Sequence, residues 1–318
     1  MHLRFIACSL MAVVSMAVFA SAQSYAPNGG YPQPSGGNVQ PDQPVQPRLP
    51  TLVPRGQQPG LPPSIQRPPT APFTLTPQEQ ADVDRVLGLW EERNHNVKTF
   101  DCRFKRWTYD AVFGRPDQAK FIDVGAIKFA TPDRGMFRID TTVNREGREV
   151  PIEDTRAQHW ISDGKSIFEY NHVTHKVIEH KLPPEAQGKA ISDTPLPFLF
   201  GSDAQKLRQR YFLRLITPPD VQGEIWLEAY PRFQQDAANF HHAQFIITAQ
   251  GMSPYALKLI QPNSKDCMVY RFFEVVVNDP LRMFRGNPFR PALPSGWQAT
   301  VEDSPGAQAR RVPNDGRR

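Results

Sequence analysis

The residues of this chain best suited to chemistry are apolar. Phe100, Phe104, Ile127, Phe129, Trp160, Phe168 and Tyr170 fall in segments where hydrophobic and polar residues alternate, and alternation predicts that they point inward. Phe198, Leu199 and Phe200 follow in one unbroken triplet inside Pro-Leu-Pro-Phe-Leu-Phe-Gly, residues 195 to 201. Such surfaces hold hydrocarbon by taking it out of water, at about 0.8 kcal/mol per buried methylene. Aromatic rings add large contact area at small entropic cost. The inward set reads as the wall of an apolar cavity and the triplet as its lid. The alternative reading of the same residues is a hydrophobic core with no ligand.

Polar chemistry is sparser. His172, His175 and His180 form an H-x2-H-x4-H cluster, but the first two flank a turn and neither a cysteine nor a repeated carboxylate accompanies them. A metal site needs converging, deprotonated ligands, so these read as turn histidines. His241-His242 would send its rings to opposite faces of a strand. Asp163 beside Gly164 is turn chemistry, and Ser162 has no base partner by spacing. Glu146, Glu149 and Glu153 read as a solvated loop. The sequence contains no Gly-x-Ser-x-Gly elbow, P-loop, HExxH or dinucleotide fingerprint. The expectation is a binding protein rather than an enzyme, without a metal or other cofactor.

Charge narrows the class further. The chain of 318 residues has a formal charge of +5. Residues 73–302 are balanced, and the whole excess comes from arginines outside them, Arg4, Arg48, Arg55, Arg67, Arg310, Arg311, Arg317 and Arg318 against Asp42, Asp303 and Asp315. Nucleic-acid binding requires clustered positive charge on the folded surface, so no nucleic-acid partner is expected.

The ends have their own signatures. Residues 1–22 read as a signal peptide, with Arg4, an apolar run from Phe5 to Phe19 and the small-x-small site Ala20-Ser-Ala22. Cleavage there would leave no transmembrane segment and place the product in a periplasm or outside the cell. Of the 33 prolines, 14 lie from Pro27 to Pro72, so residues 23–72 read as a disordered Pro/Gln-rich linker. Residues 303–318 read as a disordered tail. The folding domain is 73–302, enough for one sizeable core. Its two cysteines, Cys102 and Cys267, are a disulfide if an early and a late strand bring them together, or else two free thiols.

The elements that must position the apolar set are mostly strands. Thr76, Pro77 and Glu79 mark a capped helix start, and Val83, Val86, Leu87 and Trp90 make one helical face ending near 94–96. Strands are predicted at Phe100–Phe104, Gly125–Ala130, Met136–Val143, Gln158–Ser162, Ser166–Tyr170, Lys176–His180, Phe212–Ile216, Glu224–Tyr230, His242–Gln250, Tyr255–Gln261 and Cys267–Asn278. A short helix is predicted at Ser202–Gln209. Without a βαβ rhythm this implies an α+β fold. The expectation is one strongly curved antiparallel sheet of about ten strands, a half or open β-barrel around its N-terminal helix and mid-chain lid helix.

In order and spacing these segments resemble the LolA-like family of periplasmic lipoprotein carriers. The resemblance rests on Phe100-x-Cys102-x-Phe104, Gly125-Ala-Ile-Lys-Phe-Ala-Thr-Pro132 with Met136-Phe-Arg138, Ser162-Asp-Gly-Lys-Ser-Ile-Phe-Glu-Tyr-Asn171, Pro197-Phe-Leu-Phe-Gly201 and Asn287-Pro-Phe-Arg-Pro-Ala-Leu-Pro-Ser-Gly-Trp297. The nearest variety is a planctomycete-type branch with a Pro-rich leader. The resemblance implies an open barrel whose cavity takes an acyl chain, a lipidated protein or another hydrophobic ligand. The chain itself is expected to be a monomer. The resemblance also allows an envelope sensor that binds a protein partner on the same fold. The carriers place an arginine immediately before the proline of the second-strand turn, whereas Thr131 stands there. Arg134 lies two positions beyond that proline and is not given the role.

Overall fold

A computed structural model describes residues 70–115, 117–184, 187 and 203–302. Helix α1, Pro77–His95, begins as its sequence requires. The Thr76 hydroxyl accepts from the Glu79 amide and the Glu79 carboxylate accepts from the Thr76 amide at 2.8 Å, so both ends of the capping box close. Its buried residues are the expected four, Val83, Val86, Leu87 and Trp90.

Strands β1 (Thr99–Tyr109), β2 (Phe121–Ala130) and β3 (Arg134–Val143) follow, with β4 (Glu149–Pro151) as a short partner of β3. Next come β5 (His159–Ser162), β6 (Ser166–Asn171) and β7 (Lys176–Lys181). Helix α2, Ala204–Arg210, is capped by the Asp203 carboxylate and leads into β8 (Tyr211–Leu215). Then follow β9 (Glu224–Pro231), α3 (Gln234–Ala237), β10 (His242–Thr248), β11 (Pro254–Ile260) and β12 (Cys267–Val277). A 3-10 turn at Arg282–Arg285 and strand β13 (Gln298–Glu302) complete the described chain.

Among the described residues thirteen strands form one sheet, in the order β13-β7-β6-β5-β3-β2-β1-β12-β11-β10-β9-β8 with β4 beside β3. Among the described residues β13 and β8 do not pair with each other, so the sheet is open. Two expectations need correction. Strands β4 and β13 lie outside the predicted set, because three- and five-residue segments without a buried face carry no periodic signal. The sheet is also mixed, because β13 runs parallel to β7.

The cross-strand register divides side chains between two faces. One row runs Cys102–Ile127–Phe137–Trp160–Glu169. Its neighbour runs Asp101–Lys128–Met136–Ile161–Phe168, and successive residues of a strand point oppositely. The first face carries α1 and the main core, in which Trp90 meets Phe245 at 5.3 Å and α2 adds Ala204 and Leu207. The second face carries a smaller core of Met136, Ile161, Tyr170, Val177 and Phe289. No helix among the described residues is long and apolar enough to cross a membrane.

Candidate functional site

On the helix-bearing face the aromatic residues form one stripe across the strands. Phe104 stacks on Phe137 at 5.2 Å between centroids and 20° between planes. Phe137 stacks on Trp160 at 5.8 Å and 11°. On the other side Tyr270 tilts against Phe104 at 5.6 Å. Burial decreases along the stripe, from 0 % exposure at Phe104 through 9 % at Phe137 to a partly exposed Trp160. The apolar surface therefore runs outward from the core. Phe100, Ile127 and Phe129 lie buried in the same cluster.

Two of the predicted wall residues are elsewhere. Phe168 and Tyr170 belong to the opposite face, within the smaller core. Alternation assigns phase within one strand only, and the Asp163-Gly164 hairpin sets Trp160 opposite Glu169 and Ile161 opposite Phe168. The Tyr170 hydroxyl donates to Ala292 O at 2.9 Å and accepts from the Ala292 amide at 3.0 Å, so the C-terminal segment covers it. The predicted lid, Phe198, Leu199 and Phe200, lies outside the described residues.

The same C-terminal segment organises the predicted histidines. Trp297 packs on His172 at 5.1 Å and on His175 at 5.4 Å, and His159 stacks on Tyr170 at 4.0 Å. Burial pushes the His159 pKa down to about 4, with Arg138 and His172 adding to the effect. Burial also lowers that of His172. His180 stands 3.4 Å from Glu169 and 3.5 Å from Glu302. His241 and His242 bring their Nδ1 atoms to 2.8 Å rather than pointing apart, because His241 lies just before β10. Among the described residues no three His, Cys, Asp or Glu side chains are grouped to hold a metal.

Cys102 and Cys267 are both free. Their strands are adjacent, as a disulfide would need, but Cys267 pairs with Tyr109, seven residues along β1 from Cys102. That is about 23 Å at strand spacing, far beyond bonding reach.

Sequence reading missed a charged cluster beside the stripe. Arg106, in phase with Phe100, Cys102 and Phe104, is 6 % exposed. Its Nη2 donates to Asp123 Oδ2 at 2.8 Å and its Nη1 to Gln158 Oε1 at 2.9 Å. Arg156 Nη2 donates to Asp123 Oδ1 and to Thr142 Oγ1, while its guanidinium carbon lies 3.8 Å over the Phe121 ring. Burial works against the charge of Arg106, but Tyr270 and Asp123 outweigh it and hold its pKa above the ordinary value. The available signal was a charged residue in the buried phase of an alternating strand.

Thr131 ties its amide to Lys98 O at 2.9 Å, joining the β2–β3 turn to the link between α1 and β1. Arg134 lies on the opposite face, 5.6 Å over Phe289, which Arg282 covers at 4.8 Å.

No protein-family model and no curated protein matches the chain. Among solved structures it is similar to an uncharacterized conserved protein from Thermus thermophilus, at 9 % identity and TM-score 0.39 over 70 % of this chain and 99 % of that one. It is similar to a LolA superfamily protein from Nitrosomonas europaea at 12 % identity and TM-score 0.32, over 65 % and 99 %. It is also similar to LprF from Mycobacterium bovis at 6 % identity and TM-score 0.33, over 73 % and 100 %. The family that the sequence resembles is thus represented among them. The planctomycete-type branch finds no support there.

Proposed function

We propose that this chain is an exported, monomeric binding protein that holds an acyl chain or another apolar group against the helix-bearing face of its sheet. The observation that carries the reading is the stacked stripe Phe104–Phe137–Trp160, which passes from full burial to partial exposure. A surface graded in this way offers a hydrocarbon tail contact area continuous with the core. The ordered motifs shared with the LolA-like carriers support the same reading. Thr131 in place of the carriers' arginine separates apolar binding from lipoprotein transfer, and only the former is assigned. Residues 1–22 would direct export, residues 23–72 would act as a spacer, and 73–302 would be the binding domain. Native mass spectrometry and lipid extraction of the purified mature chain test this. A co-purifying lipid or saturable uptake of a fluorescent fatty acid is the expected result. An empty protein that takes up none would overturn it.

A second reading, an envelope sensor that binds a protein, is favoured by one observation. Strand β13 ends the sheet order, all five of its residues are exposed, and its outer side can accept an added strand. A pull-down separates the two. Loss of a protein partner on substitution of Val301 by proline, with fatty-acid uptake intact, supports the sensor. Uptake with no partner captured by either form counts against it.

A further inference from the structure

Two guanidinium groups share one carboxylate beside the aromatic stripe. Asp123 is 1 % exposed and receives Arg106 on one oxygen and Arg156 on the other. The cluster therefore holds one positive charge in excess, in a region where water contributes little screening. Arg106 Nε is buried with no hydrogen-bond partner, which calls for an explanation in a group otherwise fully engaged. Arg156 is less buried than Arg106. Among the described residues only its Nη2 is hydrogen-bonded, leaving Nε and Nη1, which point to different sides of the guanidinium, to donate singly. Arg106 follows Phe104 by two residues, and Gln158 precedes Trp160 by two. The charged cluster thus lies about 7 Å along the strands from the stripe, on the same face.

We propose that Arg156, backed by the buried Arg106–Asp123 pair, binds the carboxylate head of a single-tailed amphiphile whose hydrocarbon lies against the exposed end of the stripe at Trp160. The inference rests on the apolar-ligand reading and names the ligand class. A carboxylate accepts one charge-assisted hydrogen bond from Arg156 Nη1 and cancels the excess charge. A neutral lipid of the same chain length gains only the apolar contact.

The test compares palmitate, hexadecan-1-ol and acetate on the delipidated mature chain by calorimetry and native mass spectrometry. Palmitate is expected to bind about tenfold or more tighter than hexadecan-1-ol, the size of one charge-assisted contact. Arg156→Gln is expected to bring the two within about threefold by weakening palmitate alone. Arg156→Lys, which keeps the charge but not the position of Nη1, is expected to fall between. Unchanged thermal melting shows that both variants fold. Equal binding of acid and alcohol overturns the head-group assignment while leaving the apolar reading standing. So does a preference that survives Arg156→Gln. Acetate as tight as palmitate would assign the cluster to a free small carboxylate and also overturns it. A protein that binds neither long-chain compound overturns both readings.

Discussion

Phe104 lies directly over Gly125, its register partner on β2, and a Cβ at position 125 would stand 2.7 Å from the Phe104 ring carbon Cζ. It would also press on Arg138 O and lie 3.0 Å from Ile139 Cα. The missing side chain is what lets the Phe104 ring cross β2 and stack on Phe137 of β3. Gly125→Ala should therefore displace the ring as well as crowd the backbone, destabilising the fold by about 1–3 kcal/mol. Thermal melting measures the loss, at about 2–4 °C per kcal/mol for a domain of this size. An unchanged melting temperature with unchanged near-ultraviolet dichroism would show that the stack does not depend on this glycine.

Trp160 is the exposed end of the stripe, so its removal should affect binding more than folding. Trp160→Ala is expected to weaken fatty-acid binding about tenfold or more and to lower the melting temperature only slightly. Phe104→Ala, in the fully buried part, should instead cost about 3–5 kcal/mol of stability. Equal effects of Trp160→Ala on both measurements would make it a core residue.

His159 gives the fold a dependence on pH whose sign is fixed by burial. Its pKa falls from an ordinary 6.5 to about 4 because the charged form is desolvated, with Arg138 and His172 reinforcing the effect. The folded state favours the neutral ring, so the contribution is complete above about pH 6.5 and is lost as pH falls toward 4. His172 is shifted in the same direction. Denaturant midpoints should fall between pH 7 and 4.5, and His159→Gln should flatten that slope by on the order of 2 kcal/mol, allowing for partial exposure. A parallel slope in the variant would place the acid sensitivity elsewhere.

The free cysteines predict unequal reactivity. Burial pushes the Cys102 thiol up to about 12 and also raises that of Cys267, which lies in a more open position. A thiol reagent at pH 8 should modify Cys267 slowly in the native protein and Cys102 only after unfolding. Reducing agent should leave the melting temperature unchanged. A drop on reduction would reveal a bond that the register of β1 and β12 forbids.

Much of this architecture is legible in the chain. Thr76, Pro77 and Glu79 specify the helix start because capping is local chemistry within four residues. Hydrophobic alternation places Phe100 and Phe104 on the buried side, and the same phase contains Arg106, whose charge is the unread clue to the cluster with Asp123 and Arg156. Alternation puts Phe168 and Tyr170 on the wrong face, because the phase of one strand relative to another depends on the turn and the pairing between them. Strand β13 leaves no sequence signal, since it is held by backbone bonds to β7 and buries nothing. Trp297 carries no local signal of its partners, because it closes over His172 and His175 through a contact spanning more than a hundred residues.

The pairing of β1 with β12 sets Phe100 opposite Val277, so the middle of the sheet joins the beginning and the end of the domain. A chain emerging from its amino terminus must hold β1 with one side unsatisfied until nearly everything else has been made. Nonlocal pairing of this kind slows folding and leaves an adhesive strand exposed meanwhile. The carboxyl-terminal quarter is thus the step on which completion of the molecule waits.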